Sequence, residues 1–183
     1  MNYADIKKVD VANGEGVRVS IFVSGCHHHC KGCFNECAWD FGYGNKFDEN
    51  AKEKVINYMN HDYIKGLSLL GGEPLEPSNQ EGLLPLVKEV KEKFPDKTIW
   101  CYTGYDFQKD IVDGMNKTNP TTKELLKYID VVVDGKFDKN QKSPKLRFRG
   151  SANQRILDAQ ETIKEDKPVE IPSLYEKDRP TFK

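Results

Sequence analysis

Three observations in the sequence predict an α/β fold with mostly parallel strands. Short apolar runs with the period of two that marks a strand alternate with longer stretches whose apolar residues recur at helical spacing. Strands separated by helices of ten or more residues pair in parallel, through right-handed crossovers. The few such units present cannot close an eight-stranded barrel, so the expected architecture is a partial, open βα barrel or an open α/β sheet.

Each element has its own signal. VRVSIFVS, residues 17–24, puts Val17, Val19, Ile21 and Val23 on one face and runs directly into Gly25 and a loop reading CHHHCKGC. Asp48 is a good N-cap for a helix whose apolar side carries Val55, Ile56 and Met59. GLSLLG, residues 66–71, is a short apolar strand ending in GGEP. Leu83, Leu86, Val87, Val90 and Phe94 mark an amphipathic helix closed by Pro95. TIWCY, residues 98–102, is a third strand, followed by a glycine turn at Gly104 and a weak helical stretch. From Thr121, T-T-K-E offers a capping box with Glu124, and Leu125, Leu126 and Ile129 form the apolar side of that helix. DVVVD, residues 130–134, reads as a fourth strand, and a fifth is expected through RILD, residues 155–158.

In such architectures ligands sit beyond the carboxyl ends of the strands. Four of those ends carry SGCHHHCKGC, GGEP, YTGY and VDGKF, and these loops are expected to converge on one mouth. Residues 1–162 are expected to form a single domain. Residues 163–183 mix charge and proline without periodicity and read as a C-terminal tail, flexible or laid over the surface.

The 28 Lys and Arg nearly balance the 29 Asp and Glu, for a formal charge of -1, so no basic excess points to nucleic acid. The N-terminal MNYADIKKVD lacks the apolar run of a signal peptide, and no stretch approaches the ~18 apolar residues of a membrane span. The expectation is a soluble, cytoplasmic protein that binds neither nucleic acid nor membrane. Of five cysteines, Cys26, Cys30 and Cys33 crowd into one loop, with Cys37 and Cys101 apart. An odd, clustered set suits a metal or redox site in a reducing compartment better than a disulfide framework. Cys101, in an apolar strand, reads as a buried core thiol.

Three thiolates at C-x3-C-x2-C could hold zinc or an iron-sulfur cluster. Structural zinc takes four protein ligands, commonly in two separated pairs, and only one set is present. A neighbouring histidine could supply a fourth, but the short spacing makes it hard for His27, His28 and His29 all to face one ion, and they read as solvent-exposed loop residues. A 4Fe-4S cluster is usually held by four cysteines, so three would leave one iron open to a small molecule, the mark of a reactive site. Cys37, four residues beyond Cys33, is the alternative fourth ligand and would make the site a plain electron carrier.

The order strand, C-x3-C-x2-C loop and downstream strand ending in GGEP resembles the radical S-adenosylmethionine (SAM) enzymes. More narrowly, NGEGVRVSIFVSGC, CKGCFN, LSLLGGEP, CYTGY, VVVDGKF and RFRGSANQRI resemble the activating proteins of anaerobic ribonucleoside-triphosphate reductase, over roughly residues 10–158. The resemblance implies a partial barrel of the radical SAM type. It implies one 4Fe-4S cluster, with Cys26, Cys30 and Cys33 on three irons and SAM chelating the fourth through its amino and carboxylate groups. Gly71, Gly72 and Glu73 would supply backbone and side-chain acceptors to the SAM ammonium, with Gly32 and Phe34 near the adenine. Asp134 and Lys136 would contact SAM as hydroxyl acceptor and cation.

By the same resemblance the protein is an oxidoreductase of the glycyl-radical-activating kind. A low-potential donor reduces the cluster, SAM is cleaved to methionine and a 5′-deoxyadenosyl radical, and that radical takes a hydrogen atom from a glycine of the reductase. The SAM-derived radical does the chemistry, so no side chain is assigned a catalytic role. The sequence departs from many radical SAM proteins in having Gly32, not an aromatic residue, before the third cysteine, with Phe34 following it. The competing readings are a radical SAM enzyme with a small-molecule substrate, of the deazapurine-forming type, and a non-catalytic iron-sulfur or zinc module.

Overall fold

A computed structural model describes residues 1–175 as one seven-stranded mixed sheet with helices packed against it. The strands are β1 (Asn2–Asp10), β2 (Val17–Val23), β3 (Asn45–Lys46), β4 (Ile64–Gly71), β5 (Thr98–Tyr102), β6 (Val131–Asp134) and β7 (Arg155–Asp158), in the order β3-β1-β2-β4-β5-β6-β7. The four central strands, β2, β4, β5 and β6, are parallel. The edges reverse: β1 is antiparallel to β2, β3 to β1, and β7 to β6. RILD is therefore a strand, but an antiparallel one. β3 and β7 end the sheet at opposite sides, so it is open.

The expected helices form at α1 (Glu49–Met59) and α2 (Pro77–Lys93). Asp48 caps α1 by accepting a hydrogen bond from the Ala51 N–H at 3.0 Å. The weak helical stretch after Gly104 is a π-helical turn set, Phe107–Met115, continued by α3 (Asn116–Thr118). Helix α4 (Pro120–Leu125) starts earlier than the expected capping box. Asn119 is the cap, accepting from Thr121 N–H at 2.9 Å, and Pro120 occupies the first turn, where a missing N–H costs nothing. Glu124 bonds forward to Lys127 and Tyr128 instead.

Over its described part the C-terminal stretch is laid against the rest of the chain. Helix α5 (Ala159–Glu165) spans the expected boundary at residue 163, and α6 (Pro172–Tyr175) buries Leu174 against the sheet while the Tyr175 hydroxyl accepts from Ile156 N–H. The remainder of that expected tail, 176–183, lies outside the described residues.

Alternation along the strands makes two faces with different contents. Val19, Ile21, Val23, Leu67, Leu69, Ile99, Cys101 and Val132 meet Val55, Met59, Leu83, Leu86, Val87 and Leu125 of the helices in the main core. Cys101 is fully buried there, and burial pushes its thiol well up. The opposite face carries Trp100, Val131, Val133 and Ile156, covered by Phe148 and Leu174. Further along it, toward β2, Arg18 lies buried over the Trp100 ring.

What positions the site is register. Val23 pairs with Gly71, Leu69 with Cys101, and Tyr102 with Val133, so β2, β4, β5 and β6 end level with one another. The four loops of unusual composition leave the sheet side by side.

Candidate functional site

Those loops do enclose one cavity, of about 290 Å³. Cys26, Cys30, Cys33 and Phe34 come to it from the loop after β2, Gly71, Gly72 and Glu73 from the turn after β4, Thr103 and Gly104 from the turn after β5, and Gly135 from the turn after β6. Phe137, Leu146 and Phe148 add apolar cover, and Trp39 lines it beside the cysteine loop.

The cysteine loop and the GGEP turn are fastened together through their backbones. Gly72 N–H donates to Val23 C=O at 2.7 Å and Glu73 N–H to Gly25 C=O at 2.8 Å. Gly25 and Cys26 donate in turn to the carbonyls of Ala38 and Trp39 on the 3₁₀ turn Glu36–Trp39. Asn79, buried in α2, donates from Nδ2 to Ser24 C=O at 3.0 Å and to Glu73 C=O at 2.9 Å. This close approach explains Gly72: a Cβ there would stand 2.5 Å from Gly25 O and 2.8 Å from Ala38 O.

Cys26 is buried, and burial first of all pushes its thiol up to about 11, although the amides of His28 and His29 pull the other way. Cys30 and Cys33 are half-buried, and the Cys33 sulfur accepts from Asn35 N–H at 3.4 Å. Among the described residues, no three His, Cys, Asp or Glu side chains converge as the ligands of one metal ion do. A cluster makes a different demand, because each thiolate meets its own iron and hydrogen bonds to the sulfurs tune the potential. Three cysteines on one cavity wall, with backbone N–H groups directed at two of the sulfurs, fit that demand. Cys37 is exposed, donates to Asn35 Oδ1 and does not line the cavity.

A family model described as a 4Fe-4S single cluster domain matches residues 12–157. An anaerobic ribonucleoside-triphosphate reductase-activating protein of Haemophilus influenzae is 48% identical over 158 residues, 85% of this chain and 97% of that protein. Proteins with the same description are 44% identical in Enterobacteria phage T4, over 85% of this chain and 93% of theirs, and 40% identical in Escherichia coli K12, over 85% and 97%. The chain belongs to this family. Membership in the activating-protein family accounts for the blocks seen in the sequence, and the structure shows where each expected residue of such a protein stands.

Cys26, Cys30, Cys33, Phe34, Gly71, Gly72 and Glu73 are brought together at the cavity. Phe34 is 80% exposed at its rim. Gly32 is not a lining residue; its φ of +76° lets the chain turn between Cys30 and Cys33. Asp134 and Lys136 are not brought there. The Asp134 carboxylate is buried and committed, accepting from Arg155 Nε at 2.9 Å, from Arg155 at its second nitrogen and from Phe107 N–H at 2.8 Å. Lys136 is exposed outside the cavity.

The histidine run does not behave as one exposed unit. His27 is exposed and His29 stacks on Trp39, but the His28 side chain is only 9% exposed and its Nε2 lies 3.0 Å from Glu73 Oε2. The expectation that all three are solvated fails at His28, because the fold puts a buried acceptor beside it. Sequence reasoning missed Trp39 as a cavity residue, whereas Phe148 and Gln154, which also line it, belong to the RFRGSANQR run that reads as a surface, a wall beside SAM or a docking patch. The place of His28 shows only in the fold, where Gly104 makes room for it: a Cβ at that position would overlap the imidazole.

Proposed function

We propose that this protein is a radical SAM activating enzyme, an oxidoreductase that installs a glycyl radical on an anaerobic ribonucleoside-triphosphate reductase. The observation that carries the reading is the shared cavity of three cysteines and the Gly71–Gly72 turn, with Cys37 outside it. Relatives named for reductase activation speak for a protein substrate over the small-molecule alternative. The other partner is a low-potential electron donor. We read the open sheet as the partial barrel of radical SAM proteins and the five cysteines as suited to the cytoplasm.

Cys26, Cys30 and Cys33 would hold a 4Fe-4S cluster, leaving one iron for SAM. Bound there, the cluster would supply the electron for reductive cleavage of the SAM sulfonium, and the radical so produced would be directed at the reductase glycine. The chain supplies placement and exclusion. Gly71 and Gly72, lacking side chains, let the SAM ammonium approach backbone acceptors. Phe137, Leu146 and Phe148 line the cavity and would help keep water from the bound group. Asp134 and Lys136 stand outside this ligand set, the first serving to lock β6 to Arg155 of β7.

Anaerobic reconstitution with iron and sulfide, followed by reduction and electron paramagnetic resonance, tests the reading. SAM is expected to shift the cluster signal, 5′-deoxyadenosine to form, and a glycyl radical to appear once reductase is added. A cluster indifferent to SAM would leave a non-catalytic module, and cleavage without a radical on any reductase tested would refute the assigned partner.

A further inference from the structure

The contact between His28 and Glu73 lies where three of the cavity loops meet. Glu73 is 1% exposed, and both its oxygens accept backbone N–H groups: Leu75 N–H on Oε1 at 2.9 Å and Gly104 N–H on Oε2 at 2.7 Å. Against a carboxylate used only as an acceptor, His28 Nε2 is the donor of the 3.0 Å bond to Oε2. The imidazole sits edge-on to Tyr105 at 4.4 Å, in space left by Gly104. Its own backbone N–H is directed at the Cys26 sulfur. One residue therefore touches the cysteine loop, the GGEP turn and the YTGY turn.

A carboxylate offers about four acceptor positions, and three of those on Glu73 are taken. Its side chain is a strut between loops, with little capacity left for a ligand. The bonds from Gly72 and Glu73 N–H fix only the start of the cysteine loop to the turn. Past Cys26, the side-chain links are His28 to Glu73 and His27 Nδ1 to Glu76; the second is made by a side chain 72% exposed, and the His27 N–H also donates to Glu76 Oε1 at 3.1 Å.

We propose that His28 is a positioning residue: it clamps the cysteine loop to the GGEP turn, so that the Gly71–Gly72 backbone stands at a fixed distance from the cluster for the SAM ammonium. This inference rests on the radical SAM reading above. Residues that orient a metal ligand's surroundings typically act at the level of 10–100-fold, and an exposed ion pair at less than about fivefold.

The test uses the full chain, reconstituted anaerobically, with SAM affinity measured by calorimetry on the oxidised cluster and the resonance spectrum of the reduced cluster recorded with and without SAM. His28→Ala is expected to keep its iron and sulfide content, bind SAM about 10–100-fold more weakly and lose most of the SAM-induced spectral change. His28→Gln, whose amide can donate to Glu73, is expected to recover most of both. His27→Ala should stay within about fivefold of the unaltered protein. Unchanged SAM affinity in His28→Ala, loss of the cluster in both His28 variants, or an equal effect from His27→Ala overturns the proposal. If the unaltered protein carries a cluster but binds no SAM, the radical SAM reading falls and the clamp falls with it; normal binding with an indifferent His28→Ala removes the clamp alone.

Discussion

Gly72→Ala puts the close packing of the two central loops to the test. The added Cβ would stand 2.5 Å from Gly25 O and 2.8 Å from Ala38 O, inside the 3.0 Å below which such contacts are not tolerated. Both neighbours are backbone, held by their own hydrogen bonds, so neither can swing away as a side chain would. The turn must retreat by about 0.5 Å at least, and by about 1 Å to reach the ~3.5 Å of a relaxed contact. Overpacking of this kind costs about 1–3 kcal/mol of stability. A misplacement approaching 1 Å in a site that orients a reactant costs up to ~100-fold in rate. Urea denaturation and the rate of 5′-deoxyadenosine formation are the two assays. Gly114→Ala is the control, since its nearest neighbour, Lys109 O, is 3.4 Å away and the substitution should be neutral or stabilising by a few tenths of a kcal/mol to ~1 kcal/mol. A Gly72→Ala protein with both unaltered stability and unaltered rate would refute the claim that the loops are packed this closely.

Other outcomes follow from the same geometry. Cys37→Ala should keep the cluster and SAM cleavage, whereas alanine at Cys26, Cys30 or Cys33 should abolish both; loss of the cluster's absorbance in Cys37→Ala would bring a fourth cysteine into the ligand set. Arg18 is buried with no carboxylate paired to it among the described residues and donates to Ser68 Oγ, Leu67 O, Thr98 O, Thr98 Oγ1 and Glu15 O. Arg18→Met removes these five hydrogen bonds and should destabilise by about 2–4 kcal/mol in urea, somewhat more than the ~1–3 kcal/mol of one orphaned group. On the surface, hydrogen bonds from Lys127, Tyr128 and Lys88 pull the Glu124 carboxyl down to about 2 from an ordinary 4.5. A depressed folded pKa means its stabilisation is full above pH 4.5 and is lost as pH falls toward 2. The Tm difference between the unaltered protein and Glu124→Gln should shrink across that window, and a difference independent of pH would contradict the pairing.

The sequence alone determined the central elements and the candidate ligands, because both are written in short stretches. A period of two in VRVSIFV, the apolar run before GGEP and the helical spacing of Leu83, Leu86, Val87 and Val90 are local facts, and β2, β4 and α2 follow them closely. The cysteine spacing and the blocks around it are equally local, and they pointed to the family that the comparisons show. β1 escaped notice because only Ile6 and Asp10 of its nine residues are buried and its irregular register breaks the alternation that would announce it. What only the tertiary structure decided is which polar group faces which. Register brings Val23 level with Gly71, and that alignment carries His28 to Glu73 across 45 positions of sequence and makes a buried donor of a residue that reads as loop. The antiparallel return of β7 likewise delivers Arg155 to Asp134, taking that carboxylate out of the cavity set. Hydrogen-bond partners are chosen by proximity after packing, and packing depends on contacts between segments that no local pattern records.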